Sequence, residues 1–200
     1  MIKYETNSKL VKKGQIFVAI TGNTVDGHDY IDEAIKNGAI EVVGEKDLTL
    51  SVPYNKVESS EEYLKKHLVD EYSRDLKALK IIGVTGTSGK TTSCYLTYQM
   101  LLALKKNAAY LGTIGYYNKD KFISVNNTTP DILTLYKILE EAVNDKVEYL
   151  VMEISSHALS FERIKGLKLC TAAFTNLSQD HLDYHKTMEA YLNEKLTSIY

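Results

Sequence analysis

The chain has 200 residues, 44% of them hydrophobic, which is enough to bury one large core or two modest ones and too apolar for disorder. Its 24 Lys and Arg against 26 Asp and Glu leave a net charge of −2, so no basic nucleic-acid surface is indicated. No run approaches the roughly 18 apolar residues of a membrane span, and MIKYETNSKLVKK lacks the apolar core of a signal peptide.

In chain order, QIFVAI (15–20) reads as a short strand, and DGHDYIDEAIKNG (26–38) as a helix closed by Gly38. AIEVVGE (39–45) is a second strand. The pattern Ser59-x-x-Glu62 is a capping box, opening a helix to about Tyr72 with Tyr63, Leu64, His67, Leu68 and Tyr72 as its less polar positions. The polar segment SRDLKALK (73–80) reads as a connector, which divides the chain into domains 1–75 and 76–200.

From Ile81 the pattern becomes strand, loop, helix. KIIGVTG is a buried strand, followed by a helix from Lys90 to about Lys105 with Leu96, Met100 and Leu104 at i, i+4 and i+8. AAYLGTIGYY and KFISV flank the turn NKDK and are suited to a hairpin. Thr129-Pro130 reads as an N-cap with proline at the first helical position, ahead of apolar positions Ile132, Leu135, Ile138, Leu139 and Ala142 on one face. VEYLVMEIS (147–155) and CTAAFTNLS (170–178) are further buried strands, and 188–200 reads as helix. Apolar strands alternating with helices predict an α/β fold: a small N-terminal unit, then a doubly wound, mostly parallel sheet of phosphate-loop type.

The stretch GVTGTSGKTT (83–92) sits between such a strand and a helix, the context that makes a phosphate-binding loop credible. The usual pattern has glycine where Val84 stands, so Val84 is read as the last strand residue and Gly86 to Thr92 as the working loop. Gly86 and Gly89 allow successive N–H groups to converge on phosphate oxygens, with the helix N-terminus adding a favourable field. Lys90 would supply charge for the β- and γ-phosphates and the Thr91 hydroxyl a Mg²⁺ ligand. Glu153 ends the strand YLVME, where an open α/β sheet places its ligand crevice. His181 and His185 are four apart, but without further ligands this spacing reads as a surface helix with two histidines. Lys195 alone reads as an exposed helix lysine. Cys94 and Cys170 have no metal-ligand spacing and suggest a reducing, cytoplasmic compartment.

Taken together, GTSGKTT (86–92), NNTTPD (126–131), MEISSHAL (152–159), FTNLSQDHLDYH (174–185) and MEAYLNEK (188–195) resemble the Mur ligases, ATP-dependent amino-acid ligases of peptidoglycan precursor synthesis. The order is similar to the MurE type, which adds the third peptide residue to UDP-N-acetylmuramoyl-L-alanyl-D-glutamate. KKGQIFVAITGNTVDGHDYIDEAIKNGA is similar to the uridine-binding domain of that type. The resemblance implies that 1–75 binds the UDP portion and 76–200 is the first part of the ATP-binding domain, with a C-terminal, amino-acid-receiving domain absent from this sequence.

The same resemblance implies site residues. Gly86, Thr87, Ser88, Gly89, Lys90, Thr91 and Thr92 would cradle ATP. Thr91, Glu153, His181 and a carbamylated Lys195 would hold Mg²⁺, with Lys90, His181 and Lys195 serving catalysis. Thr6, Ser8, Asn23, Thr24 and Val25 would contact the UDP part, and Asn127, Thr128, Thr129, Ser155 and Arg163 the muramoyl-dipeptide. Expected partners are UDP-N-acetylmuramoyl-dipeptide and a free amino acid, L-lysine or meso-diaminopimelate, with no nucleic acid, no membrane span and a monomeric state. The family often has Asp-Ser-Arg where this chain has Asn7-Ser8-Lys9, and a polar residue where Phe161 stands. Other ligases of the superfamily, of folylpolyglutamate or cyanophycin synthetase type, and a non-catalytic nucleotide- or UDP-sugar-binding module are the alternatives.

Overall fold

The computed structural model describes residues 2–22, 25–119, 121–178, 187–189 and 192–193. The chain forms two units, Met1–Glu71 and Tyr72–Tyr200.

In the first unit, β1 (Tyr4–Glu5), β2 (Ile16–Val18), β3 (Glu41–Gly44) and β4 (Tyr54–Lys56) make a four-stranded sheet in that order, parallel throughout. The expected strands at 15–20 and 39–45 are its two central members. The short edges β1 and β4 were not expected, because YE and YNK carry no apolar run. Between β2 and β3 the predicted helix is split into a 3-10 turn, Gly27–Tyr30, and α1 (Ile31–Lys36). Asp26 starts the turn by accepting the His28 amide on its side chain, and Gly38 at φ 109° ends α1. The core gathers Phe17, Ala19, Ile31, Ala34 and Val42, with Leu50 and Val52 packed against it.

The helix α2 (Ser60–Tyr72) begins at the capping box, where the Glu62 amide donates to the Ser59 hydroxyl at 3.3 Å. Leu64 and Leu68 are buried as the spacing implied, and so is Lys65, whose ammonium reaches Glu61 at 3.0 Å and Glu62 at 2.8 Å. A long stem that packs while its head finds carboxylates explains a lysine on a buried face.

The second unit contains β5 (Lys80–Thr85), α3 (Lys90–Ala103), β6 (Ala108–Gly112), β7 (Gly115–Asn118), β8 (Lys121–Ile123), α4 (Ile132–Asn144), β9 (Tyr149–Glu153), α5 (Ser156–Ser160) and β10 (Leu169–Phe174). Strand order is β10-β5-β9-β6-β7-β8. The first four are parallel, and β6, β7 and β8 are joined by antiparallel pairing. The hairpin expected around NKDK is the β7–β8 pair, with Tyr117 opposite Phe122. All five apolar positions expected on α4 are buried, joined by Leu133 and Tyr136. Burying each large side chain of this face is worth about 1.5–3 kcal/mol.

One local expectation is corrected. The cap of α4 is Asp131, whose carboxylate accepts the Thr134 amide at 3.0 Å, and Thr129 is not the cap. Thr129 is fully buried, its hydroxyl donating to the Glu153 carbonyl at 2.8 Å. On α3 the stripe Leu96, Met100 and Leu104 faces outward, exposed by 57%, 65% and 69%, and the buried side chains are Cys94 and Tyr98.

Candidate functional site: a phosphate loop beside a buried carboxylate

The register of the central sheet builds the site. Val84 on β5 pairs with Glu153 on β9, and Thr85 pairs with Phe174 on β10. The loop after β5, the end of β9 and the segment after β10 therefore emerge side by side at the carboxyl ends of parallel strands, where such sheets bind ligands.

The loop backbone bends at Gly86 (φ 138°) and Gly89 (φ 83°) before α3 starts at Lys90. A Cβ at Gly86 would collide with the Thr175 hydroxyl, so side-chain space as well as backbone freedom requires glycine there. The loop is stapled by residues that sequence reasoning did not single out. Asn176 accepts the Thr87 amide on its carbonyl at 3.0 Å and the Ser88 amide on Oδ1 at 3.1 Å, and donates from Nδ2 to the Ser88 carbonyl at 3.0 Å. The Thr175 hydroxyl donates to the Ser88 carbonyl at 2.7 Å. Lys90 Nζ is folded back on the loop, donating to the Gly86 and Thr87 carbonyls at 2.9 and 2.8 Å. Thr92 is exposed on the first turn of α3.

Glu153 is completely buried. Its Oε2 accepts the Thr91 hydroxyl at 2.9 Å and the Thr113 hydroxyl at 3.2 Å, and its Oε1 accepts the Thr113 amide at 2.9 Å and the Tyr110 hydroxyl. Among the described residues, every hydrogen-bond donor to this carboxylate is neutral. A buried carboxylate and a hydroxyl at the mouth of a phosphate loop fit Mg²⁺, which is held by one or two carboxylates plus phosphate oxygens and water. Among the described residues there is no group of three or more His, Cys, Asp or Glu suited to a metal. Burial, then the adjoining carboxylate, pushes the Tyr110 phenol well above the ordinary tyrosine range, so it remains a donor at neutral pH. Burial likewise pushes the Cys94 thiol up to about 12, which makes it a packing residue and not a nucleophile.

Next to Glu153 lies the loop 126–131. Thr128 shares a hydroxyl contact of 3.0 Å with Thr113, and the Thr129 hydroxyl accepts the Ser155 amide at 3.1 Å. Ser155 caps α5 by accepting the Ala158 amide at 3.2 Å. Arg163 donates to the Thr129 carbonyl at 2.8 Å and lies over the Phe161 ring at 5.6 Å. The structure thus brings Thr128, Thr129, Ser155 and Arg163 together, with Asn127 exposed on the same loop.

In the first unit, Thr6, Ser8 and Val25 line one cavity of about 370 Å³ with Asn7, Lys9 and Tyr30. Ser8 itself is buried and donates its hydroxyl to Glu33. Asn23, Thr24, His181, His185 and Lys195 lie outside the described residues, as does most of the helix expected over 188–200.

The fold and this loop define a phosphate-loop α/β protein. Comparison with known sequences narrows that class: residues 84–197 match the Mur ligase middle domain, and 4–79 match the Mur ligase family catalytic domain. The chain belongs to the Mur ligase family.

It is similar to UDP-N-acetylmuramoyl-L-alanyl-D-glutamate–2,6-diaminopimelate ligase of Clostridium botulinum, 44% identical over 199 residues, covering 97% of this chain and 41% of the relative. The corresponding ligase of Bacillus velezensis is 41% identical over 191 residues, covering 96% and 39%. Among solved structures, a ligase of the same description superposes with a TM-score of 0.76 at 30% identity, covering 98% of this chain and 40% of that one. MurF ligase from Thermotoga maritima in complex with ADP superposes with a TM-score of 0.70 at 30% identity, covering 97% and 42%. The chain spans about two-fifths of the length of these relatives. Among the described residues, no helix is long and apolar enough to cross a membrane.

Proposed function

We propose that this chain supplies the UDP-binding domain, 1–75, and the first part of the ATP-binding domain, 76–200, of a MurE-type ligase. The reaction is ATP-dependent addition of L-lysine or meso-diaminopimelate to UDP-N-acetylmuramoyl-L-alanyl-D-glutamate, carried out by a cytoplasmic monomer. The observation that carries the reading is the Val84–Glu153 register, which sets a glycine loop and its Thr91 hydroxyl against a buried carboxylate.

In this reading the D-glutamyl carboxylate attacks the γ-phosphorus of ATP, giving an acyl phosphate and ADP. The amine of the incoming amino acid then attacks the acyl carbon, loses its proton and expels inorganic phosphate. The loop positions the triphosphate, and Lys90 exchanges its bonds to Gly86 and Thr87 for the phosphates, offsetting charge as it moves. Bound Mg²⁺ would further neutralise the transferring phosphoryl group. Thr91 and Glu153 would hold it, with His181 and a carbamylated Lys195 as further ligands. Thr6, Ser8, Asn23, Thr24 and Val25 would contact the UDP part, and Asn127, Thr128, Thr129, Ser155 and Arg163 the dipeptide end. Coverage of only two-fifths of the relatives favours a second reading for the isolated 200 residues, binding without turnover.

Lys90→Ala in the longer protein should abolish ATP turnover, and in this chain should weaken ADP binding by calorimetry at least tenfold. Turnover at the unmodified rate would remove the loop from the mechanism.

A further inference from the structure

The two oxygens of Glu153 are held in unlike ways. Oε1 accepts a backbone N–H, from Thr113, that is fixed by the end of β6, together with the hydroxyl of Tyr110, a ring on the same strand with no exposed surface. Among the described residues, Oε2 accepts only the hydroxyls of Thr91 and Thr113, whose O–H bonds can rotate away without moving a backbone atom. The carboxylate has little room to turn, because even a Cβ at Gly112 would collide with Oε1 and with the Tyr110 hydroxyl. Tyr110 is itself anchored in the core formed with Val84, Cys94, Tyr98 and Val151.

We propose that Tyr110 is a positioning residue for the divalent cation of the nucleotide: with the Thr113 amide it ties down Glu153 Oε1, so that Glu153 offers Oε2 alone, beside the Thr91 hydroxyl. The inference rests on the reading of Thr91 and Glu153 as cation ligands. A carboxylate restricted to one oxygen suits a small cation of strict octahedral geometry that keeps several waters, and disfavours Ca²⁺, which accepts two-oxygen carboxylate binding. The pinned geometry therefore discriminates for Mg²⁺ or Mn²⁺ against Ca²⁺. Partners that orient a metal ligand typically change metal affinity by about 10–100-fold when removed.

The test is a Mn²⁺ titration of the 200-residue chain with ADP, followed by electron paramagnetic resonance, with ADP affinity in EDTA measured alongside. Tyr110→Phe, which keeps the ring and removes the hydroxyl, should raise the Mn²⁺ Kd about tenfold or more. It should also narrow the Mn²⁺-over-Ca²⁺ preference, while ADP affinity in EDTA stays unchanged. Gly112→Ala, whose Cβ presses on the same oxygen and on the Tyr110 hydroxyl that holds it, should weaken Mn²⁺ binding in the same direction. A lowered melting temperature with unchanged Mn²⁺ affinity in both variants would show a packing role only and overturn the proposal. Glu153→Gln separates the two layers. If it abolishes Mn²⁺ binding while Tyr110→Phe leaves the Mn²⁺ Kd unchanged, the positioning role fails alone. If it too leaves the Mn²⁺ Kd unchanged, the reading of Glu153 as a cation ligand fails with it.

Discussion

Asp26 shows how one side chain ties a turn to a neighbouring strand. Its carboxylate accepts the His28 amide at 2.9 Å, meets His28 Nδ1 at 2.6 Å and pairs with Lys46 Nζ at 2.6 Å. Because the Glu45 amide donates to His28 Nε2 at 2.8 Å, the ring proton belongs on Nδ1, where it is donated to Asp26. The Lys46 ammonium, then the His28 amide and ring, hold the Asp26 carboxyl far below the usual carboxylate range. A folded-state pKa below the unfolded value of about 3.9 gives stability that is complete at neutral pH. That contribution fades as pH falls below about 4 toward the folded value. Melting curves from pH 7 to pH 3 should accordingly show a steeper acid loss for the natural chain than for Asp26→Asn. Parallel acid limbs would mean that the carboxylate contributes no linkage.

Among the elements, α3 and α4 read alike in sequence and differ in space. Both carry apolar residues at i and i+4 spacing, and the α4 set is buried where the α3 set is exposed. At 3.6 residues per turn, Cys94 and Tyr98 lie about 160° around the axis from Leu96. The helix therefore had two candidate faces, and it turned the one holding Cys94 and Tyr98 to the sheet. Local periodicity ranks faces by hydrophobicity, but the packing of Val84, Tyr110 and Val151 decided which one fits. In chemical denaturation, Leu96→Lys and Met100→Lys should each change stability by less than about 0.5 kcal/mol. Leu139→Ala on α4, fully buried, should cost about 2–5 kcal/mol. A large loss from Leu96→Lys would contradict the orientation of α3.

For the whole molecule, the proposed assignment puts UDP and adenine nucleotide in different units. Each ligand at a hundredfold excess over its Kd should stabilise the unit that binds it by about 2.7 kcal/mol. Hydrogen exchange should then show UDP protecting amides within 6–30 and ADP protecting amides within 85–92. UDP protection confined to 85–92 would reverse the assignment of the first unit.

Much of this was legible before any coordinates. GTSGKTT between a strand and a helix, Glu153 at a strand end, the capping box at Ser59 and the buried face of α4 are signals read within a few residues, where backbone geometry and side-chain period act directly. The short edge strands β1 and β4 were not, since they are strands only by pairing with β2 and β3. The same holds for Tyr110, Thr113 and Asn176, whose decisive contacts reach 43, 40 and 88 positions along the chain. YLGT and FTNLS carry no spacing that announces such partners. The sequence by itself determined the kind of loop, the alternation of strand and helix, and the family. Only the tertiary structure decided which face α3 buries, what staples the loop, and what fixes Glu153, because a residue's chemistry is local while its partners are chosen by sheet order and register.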